Sequence, residues 1–390
     1  MNLSRREALL AAALLPVSTR QAAPKRKPMP EITFYVGTYA DASAPGIYQF
    51  RLNTDTGALT QVGSITGVAN PSFLALAPNG HALYAISETG GFNGSPDDGG
   101  VYAFAIATDA HVLAPLGNPQ PSHGNGPAHV SVTPNGKTVL VANYGGGSIA
   151  SFPIGDDGSL KSSVSAIKHG AGSGVNASRQ DKSYAHSINA DPSGRFAVAA
   201  DLGADKLFVY RIGADGTLTP NNPPFIATKP GAGPRHLSFH KSGKFAYVVN
   251  ELNNTLTAYA FNNTKGVLTD LQTVTTLPPD FTGSNSTSEC LVHPSGKFVY
   301  GANRGHNSIA AFAIDQKTGK VTPVSITKTG GRTPRNFGID PSGRFLIAAH
   351  QDSNDMFVFR IDTKTGKLTP TGPRVELPKP VCVRFLPRPM

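Results

Sequence analysis

Charged and histidine side chains recur at the starts of short apolar runs and at the bends between such runs. Histidine and glutamate can take a proton from water. Arginine offers fixed donors to an oxyanion, a carboxylate or a phosphate. These types suit acid–base chemistry on a small polar molecule. The runs begin with Ser72-Phe73, Ala128-His129, His186-Ser187, Arg235-His236, Ser288-Glu289, Arg335-Asn336 and Val381-Cys382, and the bends carry Tyr39, Glu88, Tyr144, Asp201, Glu251, Arg304 and Gln351.

A repeat of roughly 50 residues positions these groups, and 50 residues is the length of one four-stranded propeller blade. The unit is an apolar run, a glycine turn, a second run and a bend, clearest at SECLVHPSGKFVYGANRGHNSI, residues 288–309. Two further runs follow each copy. The other copies begin at residues 70, 126, 184, 233 and 333.

The two chain ends complement each other. Residues 31–39, 46–52 and 58–65 match the second, third and fourth strands of a blade that lacks its first strand, whereas residues 379–387 match a first strand and then stop. Joining them closes the ring and leaves no open edge. The sequence therefore predicts an all-β, seven-bladed β-propeller over residues 31–390, closed by the C-terminal strand joining the N-terminal blade.

Strand direction places the chemistry at one end of the ring. The starts of the first strands and the bends after the second strands share that end, whereas nearly interchangeable glycine turns such as Asn79-Gly80 occupy the other. Two insertions, residues 168–183 and 276–287, belong to the same end as the bends. They are expected to be either mobile covers over a cleft or surface loops, and Arg179 would add an anion contact if its loop folds inward.

Composition and motifs exclude several classes of function. About half of the net charge of +10 falls in residues 1–30 and the rest is spread over every blade, so no nucleic-acid partner is expected. There is no P-loop, dinucleotide fingerprint, nucleophile elbow or zinc spacing, and no cofactor is predicted. A calcium site from Glu88, Asn143 and Asp201 remains open. Cys290 and Cys382 lie two blades apart, which argues against a disulfide bond.

The N-terminus resembles an export signal. Ser4-Arg5-Arg6 precedes an apolar run at residues 8–17 that is too short to span a bilayer. Residues 1–30 are therefore predicted to be a Tat-like signal peptide and linker, and the protein to be periplasmic or otherwise exported. Glu7 and the residues after it depart from the usual pattern, and a frayed basic tail is the alternative.

Across residues 31–390 the chain resembles the lactonase family of seven-bladed propellers, which includes 6-phosphogluconolactonases and fungal carboxymuconate cyclase. The motifs are GPRHLSFHKSGKFAYVVNEL, NRGHNSIAAF, TPRNFGIDPSGRF, GPAHVSVTPNGK and VANYGGGSIASF. The resemblance implies a catalytic cluster of His186, Arg235, Glu251 and Arg304. A further set is expected to bind substrate: His129, His236, Glu289, Arg335, Asn336 and Gln351. Relatives commonly have another histidine just before Ala185-His186, where this chain has Tyr184.

The implied activity is that of a carboxylic ester hydrolase that opens a sugar (aldono) lactone without a metal. Glu251 or His186 would activate water, Arg235 would face the oxyanion, and Arg304, with Arg335, would hold a phosphate or carboxylate. Export favours an unphosphorylated or otherwise acidic lactone as substrate for a monomer.

The same residues are consistent with other functions. The ring could be a muconate-type lactonising cycloisomerase or a non-catalytic binding propeller. The pairs Arg235–Glu251 and Arg304–Glu289 could instead be salt bridges that tie blades together.

Overall fold

A computed structural model of the chain describes residues 31–107 and 112–387. Within those ranges it contains β-strands and no helix, and the strands form seven sheets. The all-β, seven-bladed propeller is thereby confirmed. The predicted signal peptide and linker, residues 1–30, lie outside the described residues. No helix in the described part of the chain is long and apolar enough to cross a membrane.

The strands follow one another in blade order. The first half of the described chain contains β1 (Glu31–Thr38), β2 (Ile47–Asn53), β3 (Leu59–Ile65), β4 (Leu74–Leu76), β5 (Ala82–Ser87), β6 (Gly100–Ile106), β7 (Leu113–Pro115), β8 (Gln120–Pro121), β9 (Pro127–Val132), β10 (Thr138–Asn143), β11 (Ser148–Pro153), β12 (Ser165–Lys168), β13 (Ala185–Ala190), β14 (Phe196–Asp201), β15 (Lys206–Ile212) and β16 (Leu218–Ala227). The second half contains β17 (Pro234–Phe239), β18 (Phe245–Asn250), β19 (Thr255–Asn262), β20 (Val267–Thr275), β21 (Ser286–Val292), β22 (Phe298–Arg304), β23 (Ser308–Ile314), β24 (Val321–Lys328), β25 (Pro334–Ile339), β26 (Phe345–His350), β27 (Asp355–Ile361), β28 (Leu368–Glu376) and β29 (Pro380–Phe385).

The ring closes as the chain ends predict. The first blade has the order β29-β1-β2-β3, and Phe34 pairs with Phe385 in its antiparallel register. In the second blade β7 and β8 both pair with β6, so two short pieces share the outer position. The C-terminal strand therefore supplies the innermost strand of the N-terminal blade.

Apolar side chains between neighbouring blades form the core, and buried polar groups add bonds from blade to blade. Tyr247 donates its hydroxyl hydrogen to the carbonyl oxygen of Gly319, 3.0 Å away in the next blade. At the glycine-turn end, Nε2 of His240 lies 2.9 Å from the Gly296 carbonyl oxygen, and His293 repeats the contact with Gly343 at 2.8 Å. These two histidines therefore have a structural role, because each joins its blade to the next.

Candidate active site

A β-bulge near the start of the innermost strands aims side chains at the channel. In β17, Pro234 pairs with Asn250 and His236 with Val249, which leaves Arg235 as the extra residue. Arg235 and His236 both line the central cavity, although consecutive residues of a regular strand point to opposite faces. The corresponding extra residues are Ala128, His186 and Arg335. The bulge thus allows two consecutive side chains of one strand to face the channel.

The bends contribute a second ring of positions, each the residue directly after or at the end of a second strand. Most of these positions make the same kind of backbone hydrogen bond. The N–H group of Glu251 donates to the Gly233 carbonyl oxygen at 2.7 Å, and the N–H group of Glu88 donates to the Asn70 carbonyl oxygen at 3.0 Å. The equivalent donors are Tyr39, Tyr144, Leu202 and Gln351. Asp201 is one position earlier than Leu202 and accepts hydrogen bonds from the backbone N–H groups of Tyr184 and Ala204, so its side chain stabilises the bend. We call this end of the channel the mouth.

Glu251 is the centre of an ion-pair cluster at the mouth. Its Oε2 atom lies 2.9 Å from Nε of Arg235 and 2.8 Å from Nη2 of Arg304, and its Oε1 atom lies 2.5 Å from Nη2 of Arg179. Burial alone would raise the pKa of Glu251, but Arg304 and Arg235 outweigh it and hold the pKa well below its usual range. The carboxylate is therefore charged at neutral pH and neutralised by its neighbours.

The two inner arginines are fixed by backbone carbonyl groups as well. Nη1 of Arg235 donates to the Ser288 carbonyl oxygen, and Nη2 of Arg304 donates to that of Thr287 at 2.9 Å. Burial and the neighbouring Arg304 guanidinium lower the pKa of Arg235. The Arg235–Glu251 ion pair considered from the sequence is present. The Arg304–Glu289 pair was wrong, because Arg304 bonds Glu251 instead.

The insertion at residues 168–183 folds inward, so the condition set for Arg179 is met. Nη2 of Arg179 also donates to the Tyr144 hydroxyl at 3.1 Å. At the start of the loop, His169 is buried and its Nδ1 lies 2.6 Å from Asp201. The second insertion packs on the next bend, where Asn285 Nδ2 lies 3.1 Å from Asn303 Oδ1. Tyr144 was missed as a site residue, although its place at a bend was visible.

His186 lies behind Tyr144, with 5.2 Å between their ring centroids. Its Nδ1 atom is buried and has no hydrogen-bond partner among the described residues. Burial and the charge of Arg235 hold the pKa of His186 well below its usual range. His186 is therefore neutral at neutral pH and a weaker base than a histidine in water.

Several residues expected to bind substrate form a floor beneath the mouth. Nδ1 of His236 lies 2.9 Å from Oε1 of Glu289, while Asn336 donates to Oε2. The N–H group of Cys290 donates to Oε1 of Glu289 at 2.8 Å, and Arg384 Nη2 lies 3.7 Å from Oε2. Burial raises the pKa of Glu289. Both oxygens of Glu289 are thus held by the protein, which makes it a support for His236.

His129 lies deeper still. Its ring centroid is 4.4 Å from that of Phe73 and 5.5 Å from that of His236, and the residue lines a cavity of about 370 Å³ in the channel below. Gln351 occupies its bend position at the mouth, but its buried Oε1 has no partner among the described residues and it does not line the central cavity. The structure therefore brings neither residue into the Glu251 cluster.

A small cavity of about 10 Å³ lies at the centre of the mouth. Its walls are Ser72, Phe73, Glu88, Ala128, Arg235, His236, Arg335, Asn336 and Val381. The Arg335 guanidinium lies over the Tyr39 ring, 5.4 Å from its centroid, and it forms no ion pair with a described carboxylate. Burial alone would lower the pKa of Arg335, but Tyr39 and Glu88 outweigh it and raise that pKa, so Arg335 is a charged group at the mouth without a direct ion pair among the described residues.

The groups considered for calcium do not come together. Asn143 bonds Ser148 within its own blade, and Asp201 lies against His169. No group of three or more metal-binding side chains occurs within the described residues. Cys290 and Cys382 are buried free thiols, so the prediction of no disulfide bond between them is confirmed.

Comparison with known proteins agrees with this architecture. Residues 33–385 match the family model for lactonase, 7-bladed β-propeller. The chain is 40% identical over 352 residues to the 6-phosphogluconolactonase of Bacillus subtilis, which covers 90% of this chain and 97% of the relative. A putative 6-phosphogluconolactonase structure from Bacteroides fragilis has a TM-score of 0.83 at 34% identity, covering 93% of this chain and 99% of that one. The periplasmic gluconolactonase of Pseudomonas aeruginosa has a TM-score of 0.84 at 32% identity, covering 92% and 99%. The chain belongs to the lactonase family of seven-bladed β-propellers.

Proposed function

We propose that this protein hydrolyses a lactone at the mouth. The observation that carries the proposal is the group of guanidiniums held by Glu251 beside a small central cavity. Fixed donors of this kind stabilise the oxyanion that forms when water attacks an ester carbonyl. Related proteins are named 6-phosphogluconolactonase and gluconolactonase, which supports a sugar-derived lactone as the substrate class.

In the proposed reaction, a water oxygen bonds to the lactone carbonyl carbon as the carbonyl oxygen becomes an oxyanion. Arg235 lines the cavity and is the donor assigned to that oxyanion. Collapse of the tetrahedral intermediate breaks the bond to the ring oxygen, which takes up the proton that the attacking water loses. The product is a hydroxy acid, and no cofactor enters the balance.

We assign the recognition of an anionic group on the substrate to Arg335. Arg304, with Arg335, was expected in this role, but Arg304 bonds Glu251 and the Thr287 carbonyl oxygen. Arg335 has no such ion pair among the described residues, and a planar guanidinium binds carboxylate or phosphate through two donors. The central cavity and the Glu251 cluster contain more guanidiniums than carboxylates, which favours an anion. The guanidiniums there are those of Arg179, Arg235, Arg304 and Arg335, and the carboxylates are those of Glu88 and Glu251.

The two proton acceptors expected from the sequence differ in their surroundings. Glu251 is neutralised by guanidiniums and its pKa lies well below its usual range, so it is a weak base whose role is to position Arg235 and Arg304. Of the four residues expected to be catalytic, His186 has a ring nitrogen with no described hydrogen-bond partner, but burial and Arg235 hold its pKa well below its usual range as well.

We also propose that the protein is a monomer exported through its Tat-like N-terminus, which the periplasmic relative supports.

The test is lactone hydrolysis by the full-length protein in a pH-stat, with gluconolactone and 6-phosphogluconolactone, each corrected for spontaneous hydrolysis. We expect turnover that EDTA leaves unchanged. Arg335→Ala should raise KM for the phosphorylated lactone roughly tenfold or more, as loss of a charged hydrogen bond predicts. The matched control is Arg51→Ala, because Arg51 pairs with Glu31 at the glycine-turn end. Absence of turnover with both lactones would contradict the proposal and favour a binding propeller.

A further inference from the structure

Glu88 occupies in its blade the position that Glu251 occupies three blades later. Both directly follow a second strand, and both donate their N–H group to the equivalent backbone carbonyl. Their surroundings differ. Oε2 of Glu88 accepts hydrogen bonds from the Tyr39 hydroxyl at 2.9 Å and from the Ser72 hydroxyl, and no guanidinium forms an ion pair with Glu88 among the described residues.

This difference leaves Glu88 available for proton transfer. Guanidiniums approach both oxygens of Glu251, which stabilises its charged form and weakens it as a base. In Glu88 both described hydrogen bonds go to Oε2, and Oε1 accepts none from the described residues. Tyr39 and Ser72 therefore hold the carboxylate in place while one oxygen stays free.

Glu88 also shares the central cavity with Arg235, His236 and Arg335. A cavity of about 10 Å³ has room for roughly one water molecule, provided that it finds two or more polar partners. The carboxylate can accept a proton from such a water, and the guanidiniums can hold it or the carbonyl oxygen that it attacks. His186 is not one of the residues that line this cavity.

We propose that Glu88 is the general base that activates the hydrolytic water, and that this cavity is the binding site of that water. The inference rests on the proposed lactone hydrolysis. As the water oxygen bonds to the carbonyl carbon, its proton passes to Glu88. When the intermediate collapses, Glu88 returns that proton to the departing ring oxygen. The lactone and one water become one hydroxy acid, and Glu88 ends as the carboxylate with which it began.

The experiment compares Glu88→Gln, His186→Gln and the full-length wild-type protein on gluconolactone. Glutamine keeps an oxygen that can accept from Tyr39 and Ser72, so the melting temperature should hold while the base is lost. We expect kcat to fall by a factor of roughly 10² to 10⁴, the usual size of a general-base contribution, with KM changed much less. Glu31→Gln makes the same chemical change at the exposed pair with Arg51 and is the control, expected to keep full activity.

A second variant separates base catalysis from support of the fold. Glu88→Ala opens space beside the cavity, and added formate should restore part of its kcat, because formate supplies the missing carboxylate. Formate should not restore His186→Gln. Rescue of Glu88→Ala, together with the loss in Glu88→Gln, would support the proposal.

Three outcomes would overturn it. Wild-type kcat in Glu88→Gln would remove Glu88 from the chemistry and leave lactone hydrolysis standing. A rise in KM with kcat unchanged would make Glu88 a substrate-binding residue. A wild-type protein that opens no lactone would overturn both this inference and the proposed function.

Discussion

Arg179 and Glu251 are 72 positions apart in the chain, and Nη2 of the arginine lies 2.5 Å from Oε1 of the glutamate. The arginine comes from an inserted loop and is more than one-third exposed, whereas Glu251 is buried. The loop therefore completes a buried cluster from the solvent side. Of the guanidiniums around Glu251 in the described structure, that of Arg179 is the most exposed to solvent.

The loop arginine gives a first prediction. In Arg179→Ala, the substrate loses a charged donor at the entrance, so kcat/KM should fall roughly tenfold, the effect of about 1.4 kcal/mol. Arg179 is partly exposed, and Arg235 and Arg304 still neutralise the buried Glu251 in its absence, so the melting temperature should change only slightly. Steady-state kinetics and thermal denaturation check both. Unchanged kinetics would show that the loop is merely a surface element.

A second prediction concerns the centre of the cluster. Glu251→Gln leaves Arg235 and Arg304 buried without their counter-charge, and loss of one partner of a buried ion pair costs about 3–5 kcal/mol. We expect the free energy of unfolding in urea to fall by that order and lactone turnover to be lost. Glu251→Asp keeps the charge and should lie between the variant and the wild type. A Glu251→Gln protein as stable as wild type would contradict the assigned positioning role.

The buried histidines and Glu251 predict how stability depends on pH. Burial holds the pKa values of His186 and His236 well below their usual value, so the unfolded chain binds protons that the folded protein does not. These histidines should leave the free energy of unfolding undiminished above about pH 6.5. That free energy should then fall as the pH drops, by up to about 1.4 kcal/mol per pH unit for each histidine. Below about pH 4.5 the lowered pKa of Glu251 acts in the same direction.

Urea unfolding between pH 8 and pH 5 checks this dependence. His186→Gln should show a shallower loss of stability than wild type over that interval, since it lacks one of the titrating groups. Stability that is constant from pH 8 to pH 5 would be the contrary result.

The closing strand gives a fourth prediction. Removing residues 380–387 takes away β29, which pairs along β1 and contacts the second blade through Cys382, whose Sγ lies 3.3 Å from the N–H nitrogen of Leu74. The truncated protein should show no cooperative thermal transition, because two blades lose a neighbour at once. Circular dichroism during heating measures this. A cooperative transition at the wild-type temperature would mean that the ring does not depend on its closure.

The repeat made the ring predictable, whereas the partners inside the mouth were not. Aligning the repeats places Arg235, Glu251 and Arg304 at the same end of the ring, because strand direction alone determines the end at which each residue lies. It does not give the side-chain directions, since a bulge lets Arg235 and His236 both reach the channel. Glu289 was expected to bind substrate, and the structure places it in the floor, where protein groups bond both of its carboxylate oxygens.

The alignment left two other residues of the mouth unplaced, for equally specific reasons. Arg179 was expected to add an anion contact only if its loop folds inward, because its insertion has no counterpart in the aligned strands and no register could place it beside Glu251. Glu88 stood in the aligned bends, but its importance depends on having hydroxyl groups around it where Glu251 has guanidiniums. That contrast comes from Tyr39 and Ser72, whose hydroxyl groups donate to Glu88. Neither residue belongs to a catalytic motif that could be recognised in the sequence.

The pairing of Phe34 with Phe385 means that the chain enters and leaves the ring on neighbouring strands, as the two arms of a hairpin would. A short peptide linking residue 387 to residue 31 would turn the polypeptide into a continuous circle. New ends could then be cut at a loop between any two blades. The cyclic order of the blades, and not the point at which synthesis begins, specifies this architecture.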